Sequence, residues 1–319
     1  MVHEDIAFPS HDGHNTCRGD LWMPDDGEPR CVVQIVHGMV EHLLRYEDVA
    51  QALVGKGYAV CGIDHIGHGR TCPDPAQRGV YDPKQGASQM VEDQHTLRTS
   101  MQGRFEGVPY VLLGHSMGSF VTRCYIGRHG EGLSGAIVMG TAWQPKAALA
   151  LAKALASIVG GIKGWDYRSD FLDSLGAGGY NKAFEGTGVK TGFEWLSRDP
   201  QRAIDYAADP DSGWQFSASG DYVLYCLLDE AEDAKAIARV PKDLPIFVVS
   251  GADDPVGAQG KGPVATFQAL KKAGVADVEL QLYEGARHEI LGETNKDEVL
   301  ADILGWLEAH VLAKEGASC

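Results

Sequence analysis

Residues 111–120, VLLGHSMGSF, change character along their length. An apolar run, residues 109–113, stops at Gly114, and a segment compatible with a helix begins after Ser116. This order of strand, sharp turn and helix around Gly-x-Ser-x-Gly is typical of a nucleophile elbow, a strained turn that pushes the serine hydroxyl out of the sheet. Gly114 and Gly118 would let neighbouring backbone approach where a Cβ atom would not fit. Ser116 is therefore the candidate nucleophile.

The same pattern also has a plain explanation, because the chain contains 40 glycines among its 319 residues. In such a sequence Gly-x-Ser-x-Gly can arise by chance, and a motif alone is only a hypothesis. The flanking strand and helix favour the catalytic interpretation. A base and a carboxylate must still be found elsewhere in the chain to support it.

Composition and charge narrow the class of protein. The chain is 44% apolar and 23% charged, which is typical of a globular protein, and its length suits one large α/β domain with an insertion. Forty-four acidic residues against 28 basic ones give a formal charge of −16. Such a surface does not attract a phosphate backbone or an anionic membrane, so nucleic acid is disfavoured as a partner.

The N-terminal residues and the cysteines indicate a compartment. Residues 1–16 have no basic start followed by an apolar core, so we expect no signal peptide. No apolar run approaches the roughly 18 to 20 residues of a transmembrane helix. Seven cysteines without a CxxC pair fit reduced thiols better than a disulfide framework. We therefore expect a cytoplasmic chain.

Apolar runs alternate with amphipathic segments along most of the chain. This alternation predicts a mostly parallel, doubly wound sheet covered by helices. Besides the strand at residues 109–113, the predicted strands cover residues 5–8, 16–23, 31–36, 58–63, 133–139, 245–250 and 278–283. The predicted helices outside the middle of the chain cover residues 46–56, 86–105 and 296–312, with one more after Ser116.

The middle of the chain departs from this alternation. In residues 141–240 helical patterns follow one another without a strand, interrupted by a glycine-rich loop at residues 176–188. We expect these residues to form a helical cap over the carboxyl edge of the sheet. The predicted domains are thus a first core segment, residues 1–140, the cap, residues 141–240, and a second core segment, residues 241–319.

A serine nucleophile needs a base, and the base needs a carboxylate that orients it. On this kind of sheet the three residues follow one another along the chain in the order serine, acid, histidine. Asp253 and Asp254 follow one predicted strand, and His288 follows the next. Ligand sites of open α/β sheets lie at the carboxyl ends of strands, where Ser116 also falls. Each residue also has a plainer interpretation. Asp253 and Asp254 could form a turn before the proline that follows them, and His288 could be a solvated histidine in a loop. The order of three strand ends favours a catalytic triad.

An oxyanion hole is the remaining requirement of this chemistry. One donor is expected at the backbone N–H after the nucleophile, that of Met117, and the second in the loop after residues 31–36, where Met39 is the natural candidate. His37 and His42 of that loop are expected to bond neighbouring backbone, since no zinc-type spacing accompanies them. We expect no metal and no cofactor.

Five segments together resemble a known family. HGMVEHLLRYE, DHIGHGRT, GHSMGS, GADDPVG and GARHE are similar to the monoacylglycerol lipase and lysophospholipase branch of the α/β-hydrolase superfamily, which is grouped with the serine aminopeptidases. The resemblance covers residues 25–140 and 245–312. It implies an α/β-hydrolase fold with Ser116 as nucleophile, His288 as base and Asp254 as carboxylate, because Asp254 takes the family's position in GADDPVG.

The resemblance also implies roles for residues around the triad. Met39 and Met117 match the oxyanion-hole positions, and His68 falls in a structural turn beside the site. Glu41 and Arg45 match residues that lie near the polar head of a glyceride in family members. A salt bridge that fixes the loop is an equally good interpretation of Glu41 and Arg45.

We therefore expect a cofactor-independent serine carboxylic-ester hydrolase, monomeric or homodimeric, whose substrate is a monoacylglycerol, a lysophospholipid or a similar small apolar ester. The same triad could cleave a thioester, an amide or a peptide, because fold and triad do not set the leaving group. A hydrolase-fold protein that binds ligands without turnover is the alternative from a different class.

Overall fold

The computed structural model describes residues 1–184, 186 and 189–313, and within these ranges an eight-stranded sheet forms the middle layer. Its strands in chain order are β1 (Val2–Pro9), β2 (Thr16–Met23), β3 (Val32–Val36), β4 (Ala59–Ile63), β5 (Tyr110–His115), β6 (Gly135–Met139), β7 (Ile246–Gly251) and β8 (Val278–Tyr283). They lie in the order β1-β2-β4-β3-β5-β6-β7-β8. β2 runs antiparallel to both neighbours, and the other pairs are parallel. The predicted α/β sheet is confirmed.

The central strands of the sheet are buried on both faces, which explains their continuous apolar runs. Successive strand residues point to opposite faces, so Val32 and Val36 of β3 belong to one hydrophobic core while Val33 and Ile35 belong to the other. Helices α2 (Gly86–Arg104), α3 (Met117–His129) and α9 (Lys261–Lys272) contribute to the first core, and α1 (Glu47–Val54) and α10 (Lys296–Trp306) to the second.

Helices fill the chain between β6 and β7, as predicted for this part of the sequence. In the described residues they are α4 (Lys146–Lys163), α5 (Asp170–Leu175), α6 (Pro200–Ala208), α7 (Ala218–Ala231) and α8 (Ala234–Ala238). Side chains of Ser169, Asp199, Ser217 and Asp233 accept N–H bonds at the starts of the last four, which satisfies otherwise unpaired donors. α7 packs against both α3 and α4, and so connects the insertion to the core.

The glycine-rich segment is more regular than the sequence predicts. Ala177–Phe184 forms a short 3₁₀ helix, and the Tyr180 ring packs 5.2 Å from the Trp195 ring between centroids. Long-range aromatic packing stabilises a backbone that has little helical propensity of its own. Residues 185, 187 and 188 of the predicted loop lie outside the described residues, as do residues 314–319 of the predicted second core segment.

Two further elements differ from the prediction. The sequence pattern does not predict α9, which begins after Gly260 in a left-handed conformation with φ 82° and contains Pro263 in its first turn. The helix predicted at residues 296–312 divides into α10 and a π-helical turn at Leu307–Leu312. Neither difference alters the edge of the sheet where the predicted triad lies.

None of the helices in the described part of the chain has the length and the apolar character needed to cross a bilayer. No disulfide joins the six cysteines of the described residues, and five of them are buried. Buried thiols of this kind pack as small apolar groups.

Candidate active site

Ser116 lies at the sharp turn between β5 and α3. Its backbone has φ 54° and ψ −123°, a conformation that costs a non-glycine residue about 1 to 3 kcal/mol and persists only where the surroundings hold it. The Ser116 N–H donates to the Met139 carbonyl at 3.0 Å, and the Ser116 carbonyl accepts the Ser119 N–H at 2.8 Å. Strand β6 and the first turn of α3 therefore hold the serine in this strained turn.

Replacing Gly118 with alanine should destabilise the fold strongly. A Cβ atom at this position would lie 1.9 Å from the Val36 carbonyl oxygen and 2.5 Å from that of His37. Because both are backbone atoms at the end of β3, the strand would have to move, and we expect the free energy of unfolding in urea to fall by about 3 kcal/mol. Gly103→Ala is the matched control, since a Cβ atom there meets open space in α2. Equal stability of the two variants would contradict the prediction.

Asp254 and His288 follow β7 and β8 and meet at the carboxyl edge of the sheet. Asp254 Oδ2 lies 2.9 Å from His288 Nδ1, and both side chains are almost fully buried. Asp254 Oδ1 also accepts the Val256 N–H at 2.8 Å, and Oδ2 accepts the Ser250 hydroxyl at 3.3 Å. The adjacent acid, Asp253, is exposed. The structure thus brings Asp254 rather than Asp253 to the histidine.

Ser116 and His288 border the same cavity. The centroid of the His288 ring lies 4.7 Å from that of His115 and 5.1 Å from that of Trp195. A Cβ atom at Gly140 would lie 3.2 Å from His288 Cε1, so glycine leaves room for the imidazole. Within the described residues no hydrogen bond joins the Ser116 hydroxyl to His288, and the serine–histidine contact needed for proton transfer stays a prediction.

Two backbone N–H groups beside Ser116, those of Met39 and Met117, have no hydrogen-bond partner among the described residues. Met117 begins α3, Met39 follows β3, and both residues line the cavity that Ser116 borders. The Met39 loop lies against the serine, since a Cβ atom built on Gly38 would be 3.1 Å from Ser116 Cβ. Unbonded donors beside a nucleophile are what an oxyanion hole requires.

Glu41 and Arg45 form an ion pair beneath this loop. The buried Glu41 carboxylate accepts hydrogen bonds from the Gly38 N–H, from Arg45 Nη1 at 2.5 Å and from the Tyr46 hydroxyl at 2.7 Å. Arg45 also donates to both carboxylate oxygens of Glu289, at 2.7 and 2.9 Å. The predicted salt bridge is therefore present and includes Glu289, which the sequence did not single out. Glu41 also lines the cavity, so its predicted contact with a substrate stays open.

The charges of this group stabilise one another in spite of burial. Burial raises the pKa of Glu41, but the His115 hydrogen bond and the Arg45 charge outweigh it and hold that pKa well below its usual value. Burial lowers the pKa of His115, but the Glu41 carboxylate raises it above the ordinary value. Protonated His115 can donate from Nδ1 to the Tyr46 oxygen at 2.8 Å and from Nε2 to the His288 carbonyl at 3.3 Å. The network therefore reaches the backbone of His288.

Three buried histidines support the loop after β3. His37 Nε2 accepts the His65 N–H at 2.9 Å, and His68 Nε2 accepts the N–H of Val40, a residue with a positive φ of 48°, at 3.1 Å. Burial lowers the pKa of His65 to about 4 and that of His68 to about 3, and it holds the pKa of His37 well below its ordinary value. These rings are neutral acceptors that position backbone.

Hydrogen bonds tie the inserted helices to the loop that carries His288. The Glu289 N–H donates to the Leu196 carbonyl at 2.7 Å, and the Ser197 hydroxyl donates to the Gly292 carbonyl at 2.9 Å. Together with the contact between Trp195 and His288, these bonds join the insertion directly to the predicted base.

A cavity of about 500 Å³ lies between the Ser116 edge of the sheet and the inserted helices. Apolar side chains of the insertion form much of its wall, among them Leu149, Leu155, Phe193, Trp214, Leu224 and Leu228. A cavity of this size and lining can take a small apolar molecule.

Two carboxyl groups in this wall were not predicted from the sequence. Asp173 on α5 and Asp221 on α7 both line the cavity. Burial, reinforced by the charge of Asp173, raises the pKa of Asp221 to about 7. Burial, with the charge of Asp170, also raises the pKa of Asp173. Acidic residues on helix surfaces are so common that only the folded chain distinguishes these two.

Replacing Asp221 with asparagine should stabilise the protein at alkaline but not at acidic pH. The folded pKa of about 7 exceeds the ordinary value of 3.8, so the folded state binds more protons between these values and its stability falls as pH rises through them. Asparagine does not titrate. We expect Asp221→Asn to raise the free energy of unfolding by about 2 kcal/mol at pH ~8 and to leave it nearly unchanged at pH ~4.

Urea unfolding of the wild type and Asp221→Asn at both pH values measures this effect. Asp243→Asn removes the same charge from an exposed position and serves as the control. A stability difference of equal size at both pH values would contradict the prediction.

The fold and the site follow the plan of an α/β-hydrolase: a mostly parallel sheet, a serine at the turn after β5, and an acid and a histidine after β7 and β8. The chain is a serine hydrolase of that class. It matches the serine aminopeptidase S33 family over residues 27–295, and it belongs to that family. The resemblance stated from five short segments is thereby confirmed.

Relatives and solved structures agree with this class. The chain is 29% identical to a monoacylglycerol lipase of Mycolicibacterium smegmatis over 92% of each chain, and 25% identical to the mouse monoglyceride lipase over 95% of this chain and 89% of that one. A thermostable carboxyl esterase from Bacillus coagulans, solved with glycerol, has a TM-score of 0.88 at 32% identity, covering 98% of this chain and 99% of its own. Yeast monoglyceride lipase shares the fold, with a TM-score of 0.77 at 22% identity and coverage of 98% and 96%.

Proposed function

We propose that this serine hydrolase cleaves the carboxylic ester bond of monoacylglycerols, lysophospholipids or similar small apolar esters. In this proposal Ser116 is the nucleophile, His288 the base and Asp254 the carboxylate that orients the base. One observation carries the proposal. The unbonded N–H groups of Met39 and Met117 border the same cavity as Ser116 and the Asp254–His288 pair, so a nucleophile, a base and an oxyanion site share one space.

In the acylation step, His288 Nε2 removes the Ser116 proton as Oγ attacks the ester carbonyl carbon. The carbonyl oxygen becomes an oxyanion that accepts hydrogen bonds from the Met39 and Met117 N–H groups. Asp254 keeps the Nδ1 proton of His288 in place and offsets the charge of the imidazolium. The bond between carbon and the alcohol oxygen then breaks, and the alcohol leaves with the proton from His288.

Deacylation repeats these steps with water. His288 takes a proton from a water molecule, whose oxygen attacks the acyl carbon, and the oxyanion again accepts the two backbone N–H bonds. When the bond to Ser116 Oγ breaks, His288 returns a proton to the serine and the acid leaves. In both steps His288 carries the proton, while Asp254 stays ionised and the two backbone N–H groups only donate hydrogen bonds.

We further propose that residues 141–240 are a cap that holds the apolar part of the substrate, between core segments 1–140 and 241–319. The apolar wall contributed by the insertion supports this division. A monoacylglycerol or a lysophospholipid is the preferred substrate class, because the M. smegmatis and mouse relatives are named for monoacyl glycerides. A cytoplasmic location and a monomeric or homodimeric state stay predictions from the sequence.

Substrate panels distinguish this proposal from its alternatives. Hydrolysis of p-nitrophenyl esters from short to long acyl chains, and then of glycerol monoesters, should show turnover with an optimum set by the length of the cavity. Thioesters, anilides and peptides of matched acyl groups test the other leaving groups. If a fluorophosphonate labels Ser116 and no ester is cleaved, the substrate class is wrong. If neither reaction occurs, the non-catalytic binding protein becomes the better hypothesis.

A further inference from the structure

Charge is distributed unevenly over the wall of the cavity. Among the described residues no lysine or arginine lines it, whereas four carboxyl groups do. Two of these, Glu41 and Glu289, share the guanidinium of Arg45, and Glu41 also faces His115. The other two are Asp173 and Asp221, so the cavity presents uncompensated acidic groups to whatever it binds.

Asp221 is the more enclosed of this pair. It is 8% exposed, and its carboxyl group makes no hydrogen bond or ion pair with any described residue. The carboxyl group of Asp173 likewise has no such partner in the described ranges. A buried carboxylate without a partner is costly, because burial removes its hydration and nothing replaces it.

Three of the cations on helices that pack against α7 bind other groups. Lys153 on α4 pairs with Asp229, and Arg128 on α3 pairs with Glu230. Arg123 on α3 donates to backbone carbonyls and to a threonine hydroxyl. Within the described ranges, the charged group that acts on Asp221 is a second acid, Asp173, and Asp221 in turn acts on the hydroxyl of Tyr225. No hydrogen bond or ion pair joins Asp221 to a lysine or arginine of these ranges.

Aromatic rings connect this acidic wall to the predicted triad. Tyr225 lies one helical turn after Asp221 and lines the cavity. Burial, reinforced by the charges of Asp221 and Asp173, raises the pKa of its hydroxyl. Tyr180 also lines the cavity, and its ring contacts Trp195, which in turn contacts His288. Tyrosine faces beside carboxylates are a favourable surface for an organic cation.

We propose that Asp173 and Asp221, with Tyr225, form a subsite for a protonated or quaternary amine carried by the ester substrate. This subsite rests on the proposed ester hydrolysis and adds to it a preference for esters that carry a cationic group. An ammonium group supplies the missing partner of two enclosed carboxyl groups. The net charge of −16 also favours the encounter with a cation and disfavours an anionic substrate.

Matched pairs of esters test the subsite. In one pair the acyl chain of a p-nitrophenyl ester ends in trimethylammonium or in its uncharged isostere, tert-butyl. In the other pair the alcohol part of the ester carries the trimethylammonium or the tert-butyl group, so that a choline ester is compared with its uncharged isostere. We expect the cationic member of one pair to have a kcat/KM at least about tenfold higher than its isostere. Asp221→Asn should bring this ratio close to one, and Asp243→Asn should leave it unchanged.

The pH dependence of the same ratio gives a second readout. Taking a ratio removes the titration of the triad, which both esters share. The wild-type ratio should rise as pH increases through about 7, where Asp221 ionises, and the ratio of Asp221→Asn should stay flat. A merely structural role of Asp221 would not produce this difference.

The outcomes separate this inference from the proposed function. Turnover of the neutral esters by the wild type but not by Ser116→Ala supports ester hydrolysis, whatever the ratio. A wild-type ratio near one in both pairs overturns the cationic subsite alone. A preference for glycerol monoesters that Asp221→Asn abolishes also overturns it, since the acids would then recognise hydroxyl groups.

Discussion

Ser116→Ala is expected to lower kcat for ester hydrolysis by about 10⁶-fold while leaving the protein folded. The alanine cannot form the acyl-enzyme, so only the oxyanion hole and substrate binding would remain. The methyl group occupies the same turn between β5 and α3, and the serine hydroxyl forms no structural hydrogen bond among the described residues. Release of p-nitrophenol from the best ester of the panel measures the effect, and fluorophosphonate labelling reports the loss of the nucleophile directly.

Ser100→Ala is the matched control for this variant. Ser100 is an exposed serine on α2, away from the cavity, and its removal should change neither activity nor labelling. Activity of Ser116→Ala within tenfold of the wild type would exclude Ser116 as the nucleophile.

Asp254→Asn is expected to lower kcat by about 10⁴-fold. In the wild type the Val256 N–H donates to Asp254 Oδ1, and His288 Nδ1 lies against Asp254 Oδ2. An asparagine whose side-chain oxygen still accepts the Val256 N–H therefore turns its NH₂ group toward the imidazole. That NH₂ group donates to Nδ1, and the ring must then carry its proton on Nε2, where it cannot accept the proton of Ser116. Single-turnover kinetics with a p-nitrophenyl ester should show slow acylation with little change in KM.

Asp253→Asn separates this effect from a simple change of charge. Asp253 precedes Asp254 but is exposed, so its replacement should leave kcat within about twofold because exposed substitutions away from a site change little. If the two variants were equally active, the carboxylate of Asp254 would not be orienting the base. If only Asp253→Asn were impaired, the two acids would exchange roles.

Buried parallel strands explain how much of the fold could be predicted. A strand covered on both faces is a short apolar run bounded by turn residues, and this signal is local. The runs at residues 31–36, 58–63 and 245–250 match the fully buried strands β3, β4 and β7 to within one residue. The order of strand ends also singled out His288 and the adjacent acids Asp253 and Asp254, because parallel strands end at one edge. The resemblance to the family then selected Asp254.

The remaining features depend on contacts that have no local signal. Glu289 pairs with Arg45 across the fold, and nothing near either residue in the sequence indicates its partner. Asp173 and Asp221 lie on separate helices and become a pair only when both helices line one cavity. The 3₁₀ helix at Ala177–Phe184 likewise depends on the distant ring of Trp195. Tertiary packing decides such features and local propensity does not.

The bonds that join Leu196 and Ser197 to the His288 loop limit how substrate can enter. A rigid displacement of the whole insertion would break them and pull Trp195 from the imidazole. An opening that leaves these bonds intact would keep Trp195, Leu196 and Ser197 in place beside the His288 loop. Substrate could then reach the cavity without displacing the predicted base from Asp254.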